Sequence, residues 1–175
     1  SWDDYRFLRN NFYLYHNPSD DLIHWIPYDY DNSFSVDWFD IDWSSINPYE
    51  YAVIDGDGRP LTDYLFSHAR YKNLFTHFLE FYINTSFNNL EWDNQLDFWR
   101  NASVAAAQDD EWRTLDYGFN MWDFNSSYGN NYQNQHVKQG IKTFISDRVS
   151  SLNDQLYYSG EEPFIYEVIP SHQSM

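Results

Sequence analysis

The feature that most constrains the fold of this chain is a change in its hydrophobic period near Arg59. Upstream, residues 11–17 and 22–27 are rich in aromatic and β-prone side chains, and the turn-forming sequence Pro-Ser-Asp-Asp separates them. This pattern predicts a β-hairpin with a polar tip. Downstream, apolar side chains recur at spacings of three and four, which predicts helices. The sequence therefore predicts an α+β fold in which one hairpin precedes a mostly helical bundle.

The helical part is predicted to contain about four helices. Pro60 suits the first turn of the first helix, and the aromatic stripe at residues 71–82 is interpreted as core. The apolar stretches that define the helices lie at residues 59–66, 71–82, 90–107 and 137–156. Two segments, 28–58 and 116–135, lack a period and are predicted to be irregular.

Charge and composition exclude several classes of protein. The chain has 10 Lys and Arg against 27 Asp and Glu, a net charge of −17. A negative field of this size disfavours nucleic acid and anionic membrane as partners, and no stretch approaches the roughly 20 apolar residues of a membrane span. The absence of Cys excludes disulfides, thiolate metal sites and a Cys nucleophile. Without an initiator Met or a signal peptide, the chain is interpreted as an internal piece of a longer protein.

The polar residues that could carry chemistry cluster around the hairpin. Asp3 precedes it, Asn11 opens its first strand, and Asp29 and Asp31 follow its second strand. Because a hairpin returns the chain antiparallel, residues before the first strand and after the second meet at one end. Carboxylate and amide oxygens suit Mg²⁺ bound together with phosphates. The sequence therefore predicts a Mg²⁺–nucleotide site at this end.

Three segments resemble the spore coat protein H (CotH) kinase family. The family pattern is Asn-Trp-Asp, then Asn-aromatic-Tyr-Leu-Tyr, then Ile-Pro-Trp-Asp-Leu-Asp-x-x-Phe-Gly. The segments that match it are residues 2–6, 11–15 and 25–34. The downstream sequences at residues 59–61 and 141–148 also look like the family, so the resemblance covers roughly residues 1–157.

The resemblance implies ATP- and Mg²⁺-dependent (or Mn²⁺-dependent) transfer of phosphate to Ser or Thr of a protein substrate. It implies that Asp3 is the catalytic Asp and that Asn11 binds metal. Asp29 matches the Asp that holds the metal on the phosphates, and Asp31 is the second acid of that motif. Trp25, in the strand before the motif, is predicted to line the nucleotide pocket.

The resemblance also implies an atypical protein-kinase-like fold, of which this chain is the C-terminal lobe. Residues 1–158 are assigned to this lobe, and residues 159–175 to a linker or the start of a further domain. No Gly-rich loop and no strand bearing a Lys precede Asp3, whereas a kinase needs both in an N-terminal lobe. The chain is therefore expected to be inactive alone and to need that missing lobe in cis.

Four departures from the family pattern are visible. The stretch between Asp3 and Asn11 is about three residues longer than usual, and none of the departures removes a proposed metal ligand. The other three are Ser1 for Asn, Tyr28 for Trp and Ser35 for Gly.

Simpler interpretations of the same residues remain open. Asp3 could cap a helix, Asn11 could be a turn residue, and Asp-x-Asp recurs by chance at residues 40–42 and 55–57. The sequence Asp-Gly-Asp-Gly at 55–58 is interpreted as a turn rather than a Ca²⁺ loop. Trp38 and Trp43 could stack on a ligand, but packing within the acidic segment, residues 28–58, is favoured.

Two other functions compete with phosphoryl transfer. One is a non-catalytic, secreted surface-binding or adhesin-type protein with the same fold. The other is a metal-dependent glycosyltransferase, which predicts a doubly wound parallel sheet. The family resemblance predicts an extracellular location or a place on the spore or cell surface.

Overall fold

The computed structural model describes residues 1–50 and 58–160. These residues form an antiparallel two-stranded hairpin followed by five helices, which confirms the predicted α+β fold. The strands are β1 (Phe12–Asn17) and β2 (Leu22–Pro27), and the helices are α1 (Pro60–Ser67), α2 (Ala69–Thr85), α3 (Asn89–Asp109), α4 (Met121–Ser127) and α5 (Ile141–Gln155). The Asp-Gly-Asp sequence at 55–57 and the predicted linker and strand at 161–169 lie outside the described residues.

The hairpin has the strands and the turn that the sequence predicts. Phe12 pairs with Pro27 and Asn17 with Leu22, so the antiparallel register is continuous from one end of the hairpin to the other. At the tip, the Asp20 carboxylate accepts hydrogen bonds from the Leu22 N–H at 3.0 Å and from the Asn17 amide at 2.8 Å. These side-chain contacts close the four-residue turn.

The main core cluster joins the N-terminal segment, the acidic segment and α5. Trp2, Phe7, Trp43 and Phe144 form it, and the Trp2 indole N–H donates to the Val36 carbonyl at 2.6 Å. Since Trp2 is buried, the backbone of its neighbour Asp3 is anchored to the core.

Residues 28–50 have no regular secondary structure but are held by side-chain hydrogen bonds to the backbone. The buried Asp37 carboxylate accepts from the N–H groups of Phe39 at 3.0 Å and Ile41 at 3.3 Å, and from the Trp43 indole at 2.8 Å. Trp43 therefore packs in the core cluster, in agreement with the predicted packing role. Trp38 is about half exposed, and its ring stacks on His136 at a centroid distance of 4.3 Å.

The prediction of an irregular segment over residues 116–135 is wrong in part, because α4 lies inside it. Asn120 and Asp123 form a capping box at its start, a local signal that outweighs the weak periodicity of this segment. The last helix begins at Ile141 rather than Val137, since Val137 forms isolated bridges with Val36 and Asn134.

The interpretation of the aromatic stripe at residues 71–82 as core is also wrong for most of its members. Tyr71, Leu74, Phe78 and Tyr82 are exposed. The buried residues of α2 are Asn73, Thr76 and Ile83. The two polar ones bind the segment after α5: Asn73 exchanges two hydrogen bonds with Ser159, and Thr76 donates to the Tyr157 carbonyl at 3.0 Å. None of the helices in the described part of the chain is long and apolar enough to cross a membrane.

Candidate active site

Asp3, Asn11 and Asp29 lie together at the open end of the hairpin. The side-chain amide of Asn11 donates to the Asp3 carbonyl at 3.0 Å and to the Asp29 carbonyl at 3.1 Å. The N–H of Tyr28 donates to the Asn11 carbonyl at 3.0 Å. The hairpin thus brings the segment before β1 next to the segment after β2, as antiparallel pairing requires.

The two bonds made by Asn11 determine what its side chain can still do. Both N–H groups of the amide point to backbone carbonyls, which orients the side chain and distinguishes its oxygen from its nitrogen. The oxygen, Oδ1, is the atom through which Asn binds a cation. Asn11 can therefore hold a metal ion while its nitrogen keeps the two loops together.

Asp3 is half-buried, and its carboxylate is held by two asparagines. The Asn10 amide donates to Oδ1 at 2.9 Å, and the Asn32 amide lies 3.4 Å from Oδ2. Asp3 is not the cap of the turn that follows it. That role belongs to Asp4, whose carboxylate accepts from the Phe7 N–H at 2.9 Å.

Buried Arg59 holds the loop between Asp3 and Asn11 through hydrogen bonds to the loop backbone. It is 2% exposed, and its guanidinium donates to the Tyr5 carbonyl at 2.9 Å and to the Phe7 carbonyl at 2.6 Å. In the sequence, Arg59 marks a helix start and belongs to the Arg-Pro-Leu sequence of the family resemblance. That membership was the only signal for a positioning role. The contacts of Arg59 span more than 50 residues, so the local pattern does not indicate them.

Asp31 and Trp25 lie near these residues but contact different groups. Asp31 is exposed, and its carboxylate lies 3.3 Å from the Asn32 amide. The Trp25 ring stacks on Phe12 at 4.5 Å and meets the edge of Tyr5 at 5.3 Å. Trp25 thereby packs the hairpin against the loop that carries Asp3.

The donor set fits a metal ion bound jointly with phosphates better than a metal held by protein alone. Within residues 1–50 and 58–160, no three His, Asp or Glu side chains are grouped so as to hold a metal ion. Mg²⁺ commonly takes only one or two carboxylates from the protein and completes its shell with phosphates and water. Asp29, Asp31 and the Asn11 oxygen are compatible with that second mode.

Burial changes the acidity of the carboxylate next to Asp3. Burial raises the pKa of Asp4 above its ordinary value, and the hydrogen bond from Phe7 offsets part of the effect. Asp4 lines a cavity of about 360 Å³ on the core side of the loop, together with Trp2, Asn32 and Phe144. Asp3, Asn11 and Asp29 do not line this cavity, whereas Asn32 lines it and also contacts Asp3.

The second Asp-x-Asp sequence in the described residues has a structural role. The Asp42 carboxylate accepts from the hydroxyls of Ser44 at 2.6 Å and Ser45 at 2.7 Å. Hydrogen bonds from these serines outweigh burial and lower the pKa of Asp42. Both oxygens of the Asp42 carboxylate therefore stabilise the local turn at Ser44 and Ser45.

Comparison with protein families agrees with the sequence patterns described above. The family model described as CotH kinase protein matches residues 1–152. The chain belongs to the CotH kinase family, and this membership indicates a kinase-like function. No curated protein and no solved structure matches the chain.

Proposed function

We propose that this chain is the catalytic and metal-binding C-terminal lobe of an atypical protein kinase that transfers phosphate from ATP to Ser or Thr of a protein. The observation that supports this most directly is the Asn11 amide, which bridges the backbones of Asp3 and Asp29. One side chain thereby links the residue for the acceptor hydroxyl to the residue for the metal.

One group of residues acts on the acceptor hydroxyl, and another holds the metal ion and the nucleotide. The Asp3 carboxylate orients the acceptor hydroxyl and accepts its proton. Asp29 and the Asn11 oxygen hold Mg²⁺ or Mn²⁺, with Asp31 as a further ligand, and Trp25 lines the nucleotide side. When bound, the metal ion neutralises charge on the phosphates. The protein contributes mainly positioning and electrostatic stabilisation.

The nucleotide also needs a second lobe, which we propose is supplied in cis. The hairpin supports this, because Tyr13, Tyr15, Leu22 and Ile26 lie on one face and are between 44% and 59% exposed. Together they form an apolar patch of the kind that marks an interaction surface. We propose that residues 1–158 form this lobe and that residues 159–175 are a linker or the start of a further domain. We also propose a Ser/Thr-rich protein substrate and a location on the spore or cell surface.

Neither competing function has a supporting observation of its own. The doubly wound sheet required for a glycosyltransferase is not found in the described residues, whose only sheet is a two-stranded antiparallel hairpin. An adhesin-type protein would have this same fold but would not transfer phosphate, so an activity measurement separates it from a kinase.

Two substitutions in the full-length protein test the proposal. We expect Asp29→Ala to abolish transfer, because it removes a carboxylate that would hold the metal ion beside the phosphates. We expect Asp3→Ala to lower kcat by about 100-fold or more with nearly unchanged ATP affinity, since Asp3 acts on the acceptor. Calorimetry measures nucleotide affinity, and labelled phosphate transfer to a Ser-rich protein measures activity.

Asp154→Ala is the matched control, because Asp154 is an exposed carboxylate on α5. It should leave both measurements unchanged. Unchanged transfer in Asp29→Ala would contradict the metal site, and an equal loss of ATP affinity in both site variants would contradict the division of roles. A wild-type protein that neither binds ATP nor transfers phosphate would favour the adhesin-type function.

A further inference from the structure

Two asparagine amides approach the Asp3 carboxylate, one at each oxygen. Asn10 donates to Oδ1 at 2.9 Å, and the Asn32 amide lies 3.4 Å from Oδ2. Asn10 precedes β1, whereas Asn32 follows β2. The carboxylate is therefore held from both sides of the open end of the hairpin.

Asn32 contacts the segment around Asp3 through its backbone as well as its side chain. Its carbonyl accepts from the Trp2 N–H at 3.3 Å, and Trp2 is anchored in the core. The same Asn32 amide lies 3.3 Å from the Asp31 carboxylate. It thus stands between the Asp3 and Asp31 carboxylates.

Asn10 reaches Asp3 because the chain reverses just before it. Arg9 has a φ of 58°, and the Asn10 N–H donates to the Asp4 carbonyl at 3.2 Å. These two features fold the loop back over Asp3.

We propose that Asn10 and Asn32 are positioning residues that hold the Asp3 carboxylate in the orientation needed by the acceptor hydroxyl. This inference rests on the proposed function of Asp3. A carboxylate has about four lone-pair sites, so two amide donors fix its plane and leave sites for the hydroxyl. Fixing the rotamer before the acceptor binds removes an ordering cost from the chemical step.

The test uses Asn10→Ala and Asn32→Ala, each made in the wild-type full-length protein and in Asp3→Ala. In the wild-type background we expect each substitution to lower kcat about tenfold, as loss of one hydrogen bond to a charged group implies. For Asn10→Ala, KM for ATP should change less than about twofold, because Asn10 contacts none of the residues proposed to hold the metal or the nucleotide. In the Asp3→Ala background, both substitutions should leave the residual kcat unchanged.

A conservative variant separates hydrogen bonding from packing. Asn10→Gln keeps an amide donor on an exposed side chain and should recover most of the activity. Asn10→Asp removes the donor and adds a like charge beside Asp3, so its kcat should be at least as low as that of Asn10→Ala. Asn94→Ala is the control, because Asn94 is an exposed asparagine on α3. It should not change kcat.

The possible failures can be told apart. Equal losses of kcat in the wild-type and Asp3→Ala backgrounds would show that the asparagines support the fold, which would overturn the inference. Unchanged kcat in both alanine variants of an active protein would overturn it as well, while the roles of Asp3 and Asp29 would stand. An inactive wild-type protein would overturn both the proposed function and the inference.

Discussion

Asn11 and Asp29 each have a φ of 54°, which lies in the left-handed region of backbone conformation. Among residues with a Cβ, Asn and Asp adopt this region most readily. At both positions the residue type that tolerates the backbone is also a type that binds Mg²⁺ through oxygen. The open end of the hairpin therefore combines a sharp change of chain direction with side chains of a type that can bind Mg²⁺.

A second residue-scale effect concerns Asp4, whose carboxyl group is largely removed from water. Burial raises its pKa above the ordinary value of 3.8, and the Phe7 N–H lowers it only in part. An acid with a raised pKa in the folded state stabilises the fold below its unfolded pKa. That contribution is lost as the pH rises through the folded pKa.

We therefore expect Asp4→Asn to increase the free energy of unfolding at neutral pH and to have little effect near pH 3. The amide oxygen of the new side chain can still accept from Phe7, but it cannot ionise. Urea unfolding followed by circular dichroism between about pH 3 and pH 7 measures the difference. Asp154→Asn, on exposed α5 surface, should show no such pH-dependent gain, and a gain that is equal at every pH would contradict the burial argument.

At the scale of elements, α4 depends on one buried carboxylate. Asp123 is 3% exposed. It accepts from the Asn120 N–H at 2.7 Å, the Asn134 amide at 2.8 Å and the Tyr132 hydroxyl at 3.2 Å. Burial alone would raise the pKa of Asp123, but these donors outweigh it and lower the pKa. Burial and the Asp123 charge raise the pKa of Tyr132 to about 12, so its hydroxyl remains a donor at neutral pH.

We expect Asp123→Ala to lower the free energy of unfolding at pH 7 by roughly 2–3 kcal/mol, because it removes a helix cap and leaves buried donors without an acceptor. Since the pKa of Asp123 is lower in the folded state, its contribution is present above the ordinary value of 3.8 and is lost as the pH falls through the folded pKa. The difference between variant and wild type should therefore shrink in acid. Denaturant unfolding at several pH values measures it.

Asp116→Ala is the control for this prediction, since Asp116 is exposed in the segment before α4. It should change the free energy of unfolding by less than about 0.5 kcal/mol. A similarly small effect of Asp123→Ala would mean that the capping network does not stabilise α4.

Local pattern predicted some elements well and failed at others for identifiable reasons. The hairpin was predictable because its aromatic, β-prone strands and its Pro-Ser-Asp-Asp turn are both local signals. The encounter of Asp3, Asn11 and Asp29 then followed from antiparallel geometry. The positions of Asn10, Asn32 and Arg59 were not predictable, because their contacts depend on how loops pack. The stripe on α2 was misassigned because periodicity identifies an apolar face but not whether another element covers it.

At the scale of the whole molecule, the hairpin has two faces with different surroundings. Residues directly opposite each other in the register share a face, and Phe12 and Trp25 pack their face against Tyr5. The other face contains Tyr13 opposite Ile26, 57% and 44% exposed. On that second face, Tyr28 contacts Tyr13 at a centroid distance of 5.5 Å, and we propose that the second lobe packs on the rest of the face.

We expect the double substitution Tyr13→Ser/Ile26→Ser to have different effects in the chain alone and in the full-length protein. In the isolated 175 residues, both side chains are already exposed, so the free energy of unfolding should change by less than about 1 kcal/mol. In the full-length protein, the two side chains should be buried against the other lobe. Removing that apolar contact should cost roughly 2–4 kcal/mol.

Leu90→Ser is the control, because Leu90 is 85% exposed at the start of α3, and it should have a small effect in both forms. Denaturant unfolding of the six proteins measures these differences, and an equally small effect of the double substitution in both forms would show that the second lobe does not cover this face.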